Sequence, residues 1–425
     1  MSYPGPSSFY RAGKTLQAVI ADYCYFKPGQ EVNVATQTEL FEMFEAAERR
    51  MQARFKLGQS QEQLLLEIVT KTVIVDRLVP PTAMAFLTGS VPKEREVFIH
   101  YKDGTKAAPG FTIHRHAFNQ LCQKVGLPMT YATLLQSASG NEAWKVDLLC
   151  DNLNALFSMP EWAERGGQPV RFLHRLVGTE LRGFLSHRYA RHLATAPLLR
   201  AFIDSCRSAG AKPIEATSSS VRNALKCLLP KVFEAFPGEY ICLGVEFSNS
   251  DFGAGRLVIQ STVWRVNTGA ACVLDEALSK VHVGAIIDDS DLQLSEGTWQ
   301  KETEAQKSVI VDVVAQLLSE KTVEHLLKAL RFARDEQIPW SKLKARLTSI
   351  ISKGDLDWLQ QAADNGGGIV DLPPISFTPD GVRVPNAYWA AAAVGAIASK
   401  TEDQDRRMDL QREAGKLLAE AMRQA

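Results

Sequence analysis

Arg171, Arg175, Arg182, Arg188 and Arg191 fall close together in the chain and are interleaved with Phe172, Phe184 and Tyr189. Guanidinium groups hold phosphates and aromatic rings stack on unpaired bases, so this mixture suits contact with a single-stranded nucleic acid. Arg222, Lys226 and Lys231 extend the positive stretch. The expected nucleic-acid-binding set is therefore Arg171, Arg175, Arg182, Phe184, Arg188, Tyr189, Arg191, Arg222 and Lys226, with single-stranded DNA as the expected partner. The competing reading is internal. Lys and Arg heavily outnumber Asp and Glu from Arg165 to Lys231, and the balance reverses from Val232 to Glu304. Such neighbouring halves can neutralise one another within a domain, or across copies of the chain as a head-to-tail homo-oligomer.

Other chemistries find less support. The turn Asn249 to Gly255 (NSDFGAG) offers side-chain oxygens and backbone amides that an anion or metal could use, but a hairpin needs the same residues. It lacks the Gly-Lys-Ser/Thr ending of a phosphate loop. His114 and His116, His187 and His192, and the carboxylates Asp251, Asp288, Asp289 and Asp291 do not reproduce a zinc or divalent-metal pattern. A metal-dependent enzyme acting on nucleic acid stays as a third reading. There is no Gly-x-Ser-x-Gly elbow and no Cys-x-x-Cys pair, so no catalytic residue, metal or cofactor is assigned.

Elements must position these residues. Thr38 to Leu57 has a helical apolar period, and a second helix is expected from Ser60 toward Leu78, ended by Pro80 and Pro81. Glu96 to Tyr101 and Phe111 to His114 read as extended, followed by a helix from Arg115 to Val125 that Gly126 and Pro128 stop. Trp144 to Phe157 is helical in spacing. Val170 to Leu176 and Glu180 to Tyr189 read as strands joined by a turn at Gly178 and Thr179, with a short helix over Leu198 to Ser208. From Ile214 the pattern is β again, with strands expected at Tyr240 to Ser248 and Leu257 to Val266. Helices are expected at Gln300 to Ser319, Thr322 to Asp335, Ser341 to Ser352 and from Thr401 onward.

Several of these segments share an order with a known family. FTIHRHAFNQLCQKVGLP (Phe111 to Pro128), the apolar helix Leu149 to Leu156, LRGFLSHRY (Leu181 to Tyr189), GVEFSNSDFG (Gly244 to Gly253) and WRVNTG (Trp264 to Gly269) occur in turn. Together they resemble the phage/plasmid-related domain-of-unknown-function family numbered 932. Its pattern has a helix ending in Gly-Ile-Pro, an Arg-x-x-Leu-Ser-x-Arg-Tyr strand, an Asn-Ser-x-x-Gly turn and an Arg-x-x-Cys-x-Asn-Gly element. The resemblance covers roughly residues 96 to 320. In the last element Arg265 and Asn267 have counterparts, but the cysteine is absent and Thr268 precedes Gly269. The resemblance implies a phage or plasmid setting and no defined activity.

The 425 residues, 45% of them hydrophobic, are enough to bury a substantial core. The expected fold is α+β: a central antiparallel sheet with flanking helices, a helical N-terminal arm (1 to 95), a core domain (96 to 320) and a helical C-terminal region (321 to 425) with a Gly/Pro-rich segment at 365 to 385. Net charge is zero, so the whole chain carries no polyanion-binding excess. Scattered cysteines, the lack of signal-peptide features in Met1 to Ser8 and an apolar stretch at Ala387 to Ala398 too short to span a bilayer lead us to expect a bacterial host cytoplasm and no membrane partner. The expected function is a DNA-metabolism protein that binds or anneals single strands as an oligomer. The alternative is a non-enzymatic structural or host-interaction protein that assembles through complementary basic and acidic surfaces.

Overall fold

The computed structural model describes residues 34–89, 96–102, 110–136, 142–162, 164–165, 168–189, 193–236, 239–266, 268–280, 295–364, 376–377 and 383–422. The fold is mixed α+β, built on two six-stranded sheets rather than one central sheet.

A long helix α1 (Val34–Lys71) opens the described chain and is continuous through Gly58. The two helices expected there are therefore one. It stops at Lys71, where Thr72 turns its amide and hydroxyl back onto the Ile68 carbonyl. The β-branched run Val73, Ile74, Val75 then favours extended backbone. The expected helical residues up to Leu78 form strand β1 (Val75–Val79) instead. β2 (Met84–Thr88), β3 (Val97–Tyr101) and β4 (Phe111–Ile113) follow. Thus β1 and β2 lie within the segment expected to be a helical arm, and they form the two edges of the first sheet.

Next come three helices, α2 (Arg115–Val125), α3 (Met129–Gln136) and α4 (Trp144–Phe157). Gly126, at φ 68°, closes α2 in the left-handed conformation that glycine adopts without steric cost. A minor pair, β5 (Glu164–Arg165) and β6 (Gln168–Pro169), leads into the hairpin β7 (Phe172–Val177) and β8 (Glu180–Ser186). The first sheet runs β1-β7-β8-β4-β3-β2, antiparallel except where β4 meets β8. The helices bury Phe118, Leu121, Leu149 and Leu153 against Phe86, Ile99, Phe172 and Phe184 of the sheet.

Helix α5 (Thr195–Ser208) precedes the second sheet, formed by β9 (Lys212–Ser218), β10 (Asn223–Leu228), β11 (Phe233–Phe236), β12 (Glu239–Asn249), β13 (Leu257–Arg265) and β14 (Ala271–Lys280). Its order is β14-β13-β12-β10-β9, with β11 also on β12. The rest is helical: α6 (Glu296–Leu317), α7 (Glu320–Asp335), α8 (Trp340–Leu347) and α9 (Lys353–Asp364). After the two-residue pair β15 (Ser376–Phe377) and β16 (Arg383–Val384) come α10 (Ala387–Lys400) and α11 (Gln404–Met422). The apolar stretch Ala387 to Ala398 is a core helix buried on all sides, as an all-round apolar helix of that length should be. Trp389 sits in the largest core cluster, with Leu330, Leu359 and Leu417 of neighbouring helices and Leu243 and Val263 of the sheet. No helix among the described residues is long and apolar enough to cross a membrane.

Candidate nucleic-acid interface

The β7–β8 hairpin was expected to offer an open basic face, but both of its faces are covered. On one side Phe184 is buried against Phe172, with ring centroids 4.7 Å apart, and against His174 at 4.8 Å. On the other side the turn after β12 presses in, so that a Cβ on Gly183 would contact the Phe252 backbone. Arg175 is buried there. Its Nε donates to Asp76 Oδ1 at 3.1 Å and its Nη1 to the Asp251 carbonyl at 2.6 Å, with the guanidinium 5.1 Å from the Tyr189 ring. Tyr189 is buried too, and its hydroxyl donates to the Ser250 carbonyl at 2.7 Å. Burial pushes that phenol well above its ordinary pKa despite Arg175. Phe184 and Tyr189 are thus corrected from stacking residues to core residues, and Arg175 from a phosphate contact to an internal clamp.

The other cations separate in the same way. Arg182 donates to Glu180 Oε2 at 2.6 Å and to the Ser220 carbonyl. Arg222 donates to the Ala254 carbonyl at 2.5 Å and to Asp409 Oδ1 at 3.4 Å, with Asp405 at 4.0 Å. Lys226 is 2% exposed and donates to Glu215 Oε2 and Gln411 Oε1, both at 2.7 Å, with Glu246 at 3.7 Å. Strand register dictates this arrangement, because Lys226 lies directly across from Glu215 on β9 and from Glu246 on β12. Burial pushes the Glu215 carboxyl up, but Lys226, Arg407 and Arg54 outweigh it and hold the group below its ordinary value. Arg171 and Arg188 remain exposed, at the same end of the hairpin, where Phe172 pairs with Ser186. Arg191 lies outside the described residues. The nine expected positions therefore do not form one surface.

The turn from Asn249 to Gly255 is a junction between the sheets. Asn249 Nδ2 donates to the Leu193 carbonyl, Ser250 Oγ donates to the Val221 carbonyl and accepts from the amides of Phe252 and Ala254, and Asp251 Oδ1 accepts from the Thr195 amide. From the first sheet's side, Gln120 Nε2 donates to the Phe252 carbonyl at 2.9 Å while its Oε1 accepts the Phe184 amide. The segments Leu181 to Tyr189 and Gly244 to Gly253 thus meet in space. Their oxygens are committed to holding the molecule together. Burial raises the Asp251 carboxyl above its ordinary value, against Arg175 and Thr195.

His114 and His116 are committed as well. His114 Nδ1 accepts the His116 amide, which places the ring proton on Nε2, 2.8 Å from Ser220 Oγ. That nitrogen donates to the hydroxyl, so His114 is not oriented as a base for Ser220. Burial lowers its pKa, with Glu180 opposing, and burial lowers His116, whose Nε2 meets the Phe252 carbonyl at 3.1 Å. His187 is exposed; His192, Asp288, Asp289 and Asp291 lie outside the described residues. Among the described residues no group of three or more His, Cys, Asp or Glu could hold a metal ion. Cys122, Cys150, Cys206, Cys227, Cys242 and Cys272 are buried thiols. Arg265 of the last motif forms a buried two-pronged ion pair with Glu239, whose Oε1 also accepts the Tyr388 hydroxyl at 2.8 Å, so this segment ties α10 to the sheet.

No family model matches the sequence, and no curated protein and no solved structure matches it either. The residues that sequence reasoning passed over are the acceptors: Asp76, Glu180, Ser220, Asp405 and Asp409. None of them lies in the acidic run Val232 to Glu304, so the charge pattern held no signal for them.

Proposed function

We propose that the protein binds single-stranded nucleic acid, as a DNA-metabolism protein of phage or plasmid type, through the end of the β7–β8 hairpin that carries Arg171 and Arg188. One observation supports this narrower surface: among the described residues these two guanidinium groups are exposed and have no carboxylate partner, while Arg175, Arg182, Arg222 and Lys226 are neutralised within the subunit. With Phe184 and Tyr189 in the core, contact is electrostatic and carries no base preference. The test is fluorescence anisotropy with labelled oligothymidine across a salt series. Arg171→Glu with Arg188→Glu is expected to weaken binding at least about tenfold and to flatten the salt slope by about 1.4, at roughly 0.7 per single-strand phosphate contact. Affinity unchanged by the pair, or no binding at low salt, overturns the reading.

A second reading, a non-enzymatic assembly protein, is favoured by an apolar surface rather than by charge. Trp144 and Leu148, one turn apart on α4, are exposed beside Tyr131 and Leu134 of α3, and the Asn152 side chain bonds to the Tyr131 hydroxyl. Exposed apolar groups gathered this way mark contact surfaces more often than isolated ones do. Its occupant on this reading is a second copy of the chain. Light scattering should find an oligomer that Trp144→Glu converts to monomer; a monomer at all concentrations removes this reading.

A further inference from the structure

Helices α5 and α6 lie side by side over the second sheet, and their inner faces are apolar. Leu198, Leu199, Phe202, Ile203 and Cys206 of α5 share a core with Ile310 and Val314 of α6. Their outer faces diverge and leave a groove of about 710 Å³. That is within the range of roughly 300–1,000 Å³ typical of small-molecule sites. Small side chains keep it open: Ala201, Ser205, Ala209 and Ala315 line it where larger residues would close it.

Three features define what the groove would take. First, Ser205 is among the residues that line it, and its Oγ, shielded from solvent, has no hydrogen-bond partner; the residue is only 9% exposed. A helical serine ordinarily returns its hydroxyl to the carbonyl four residues back, and Ser208 does so onto Asp204 at 2.9 Å. Ser205 does not. Second, the groove has two cations. Arg200 spends one donor on the neutral Thr70 hydroxyl, and Lys307, ion-paired with Glu304 on its own helix, spends one of its three donors there and keeps two. The single carboxylate in the lining, Asp204, lies 3.9 Å from Arg207. Third, Pro197, Ala201, Val311 and Ala315 supply apolar wall.

We propose that this groove is a binding site for a small organic anion, a carboxylate with an aliphatic body. Lys307 and Arg200 attract the carboxylate, Ser205 Oγ donates to it, and the aliphatic portion lies along Ala201, Val311 and Ala315. Charge and hydroxyl together select the anion over a neutral chain of equal length.

Titration calorimetry of the full chain with decanoate tests this, with decanol as the uncharged control. Decanoate is expected to bind saturably at one site and decanol at least about tenfold more weakly. Lys307→Glu is expected to cost at least about tenfold, and Ser205→Val, which removes only the hydroxyl donor, severalfold. Ala201→Trp fills the groove and abolishes binding. Each variant is first matched to the parent by circular dichroism and melting temperature. Non-saturable uptake, equal affinity for decanol, or affinity untouched by Lys307→Glu in a folded variant overturns the proposal. Oligothymidine binding through Arg171 and Arg188 is scored separately, so failure of either site leaves the other standing.

Discussion

Lys226 shows how tightly charge is bound into this fold. It is buried with Glu215 and Glu246, so removing its ammonium leaves two buried carboxylates without the cation they share. Lys226→Met is expected to destabilise the protein by about 3–5 kcal/mol, read as a shift in urea midpoint, and adding Glu246→Gln should recover part of it. Glu215 is held below its ordinary carboxyl range in the folded state, so its contribution is present above the unfolded value near 4.5 and is lost as pH falls below it. His174 acts at higher pH. Burial, aided by Arg77, lowers its pKa from 6.5 to about 3, and its Nδ1 lies 2.8 Å from the Tyr101 hydroxyl. The unfolded chain takes up a proton near 6.5 that the native imidazole refuses. Its stability contribution is therefore complete above that pH and declines as pH falls toward 3, at up to about 1.4 kcal/mol per unit. Urea midpoints at several pH values should show a shallower acid-side slope in His174→Asn than in the parent, whatever the absolute stability of the variant; equal slopes contradict the assignment. At this scale the sequence disclosed residue types but not partners. Arg175 reads as a phosphate contact because Asp76, its carboxylate, stands 99 residues earlier in the chain.

The elements were more legible, because periodicity and punctuation act locally. Trp144–Phe157 and Arg115–Val125 form helices with the bounds their spacing implies, and the Gly178 turn joins β7 to β8. The misreadings occur where tertiary packing outweighs local signals. Gly58 looks like a helix breaker, yet it lies inside α1 because only a residue without Cβ lets the helix approach the Pro213 carbonyl on β9. Gly415 does the same for α11 against the Val273 carbonyl on β14. In an exposed helix, glycine to alanine gains about 1 kcal/mol. Here Gly58→Ala and Gly415→Ala should each instead lose about 1–3 kcal/mol through overpacking, seen as a lower melting temperature. Edge β2 illustrates another device that local pattern hides. The Asn154 carboxamide on α4 accepts the Phe86 amide and donates to the Phe86 carbonyl, both at 2.8 Å, standing in for a neighbouring strand. Asn154→Leu unpairs both groups. It should cost about 2 kcal/mol and expose an edge that associates, measured by urea melts and light scattering.

At the scale of the molecule, the segments that stand out chemically in the sequence converge on the junction between the sheets. His116 and Gln120 from α2, Arg175 from β7 and Tyr189 after β8 all bond to carbonyls of the turn from Ser250 to Phe252. That turn is in turn fixed to the start of α5 and to the loop before β10 through Asp251 and Ser250. Polar groups at a domain-scale junction need complete pairing, which accounts for hydrogen-bonding residues so dense that they resemble a site. Arg175 is the member that spans both sides, from Asp76 on the edge of the first sheet to Asp251 on the second. Arg175→Met should therefore weaken the first sheet more than the second, because Asp76 loses its ion pair with Arg175 while Asp251 keeps the Thr195 amide. Native-state hydrogen exchange resolves this by segment. In the parent, amides of β7–β8 and of β12–β13 are expected to exchange through separate openings; in Arg175→Met, a loss of about 2 kcal/mol in the opening of the first sheet speeds β7–β8 by roughly 30-fold and leaves β12–β13 unchanged. Equal acceleration of both sheets would mean that Arg175 stabilises a single cooperative unit rather than joining two.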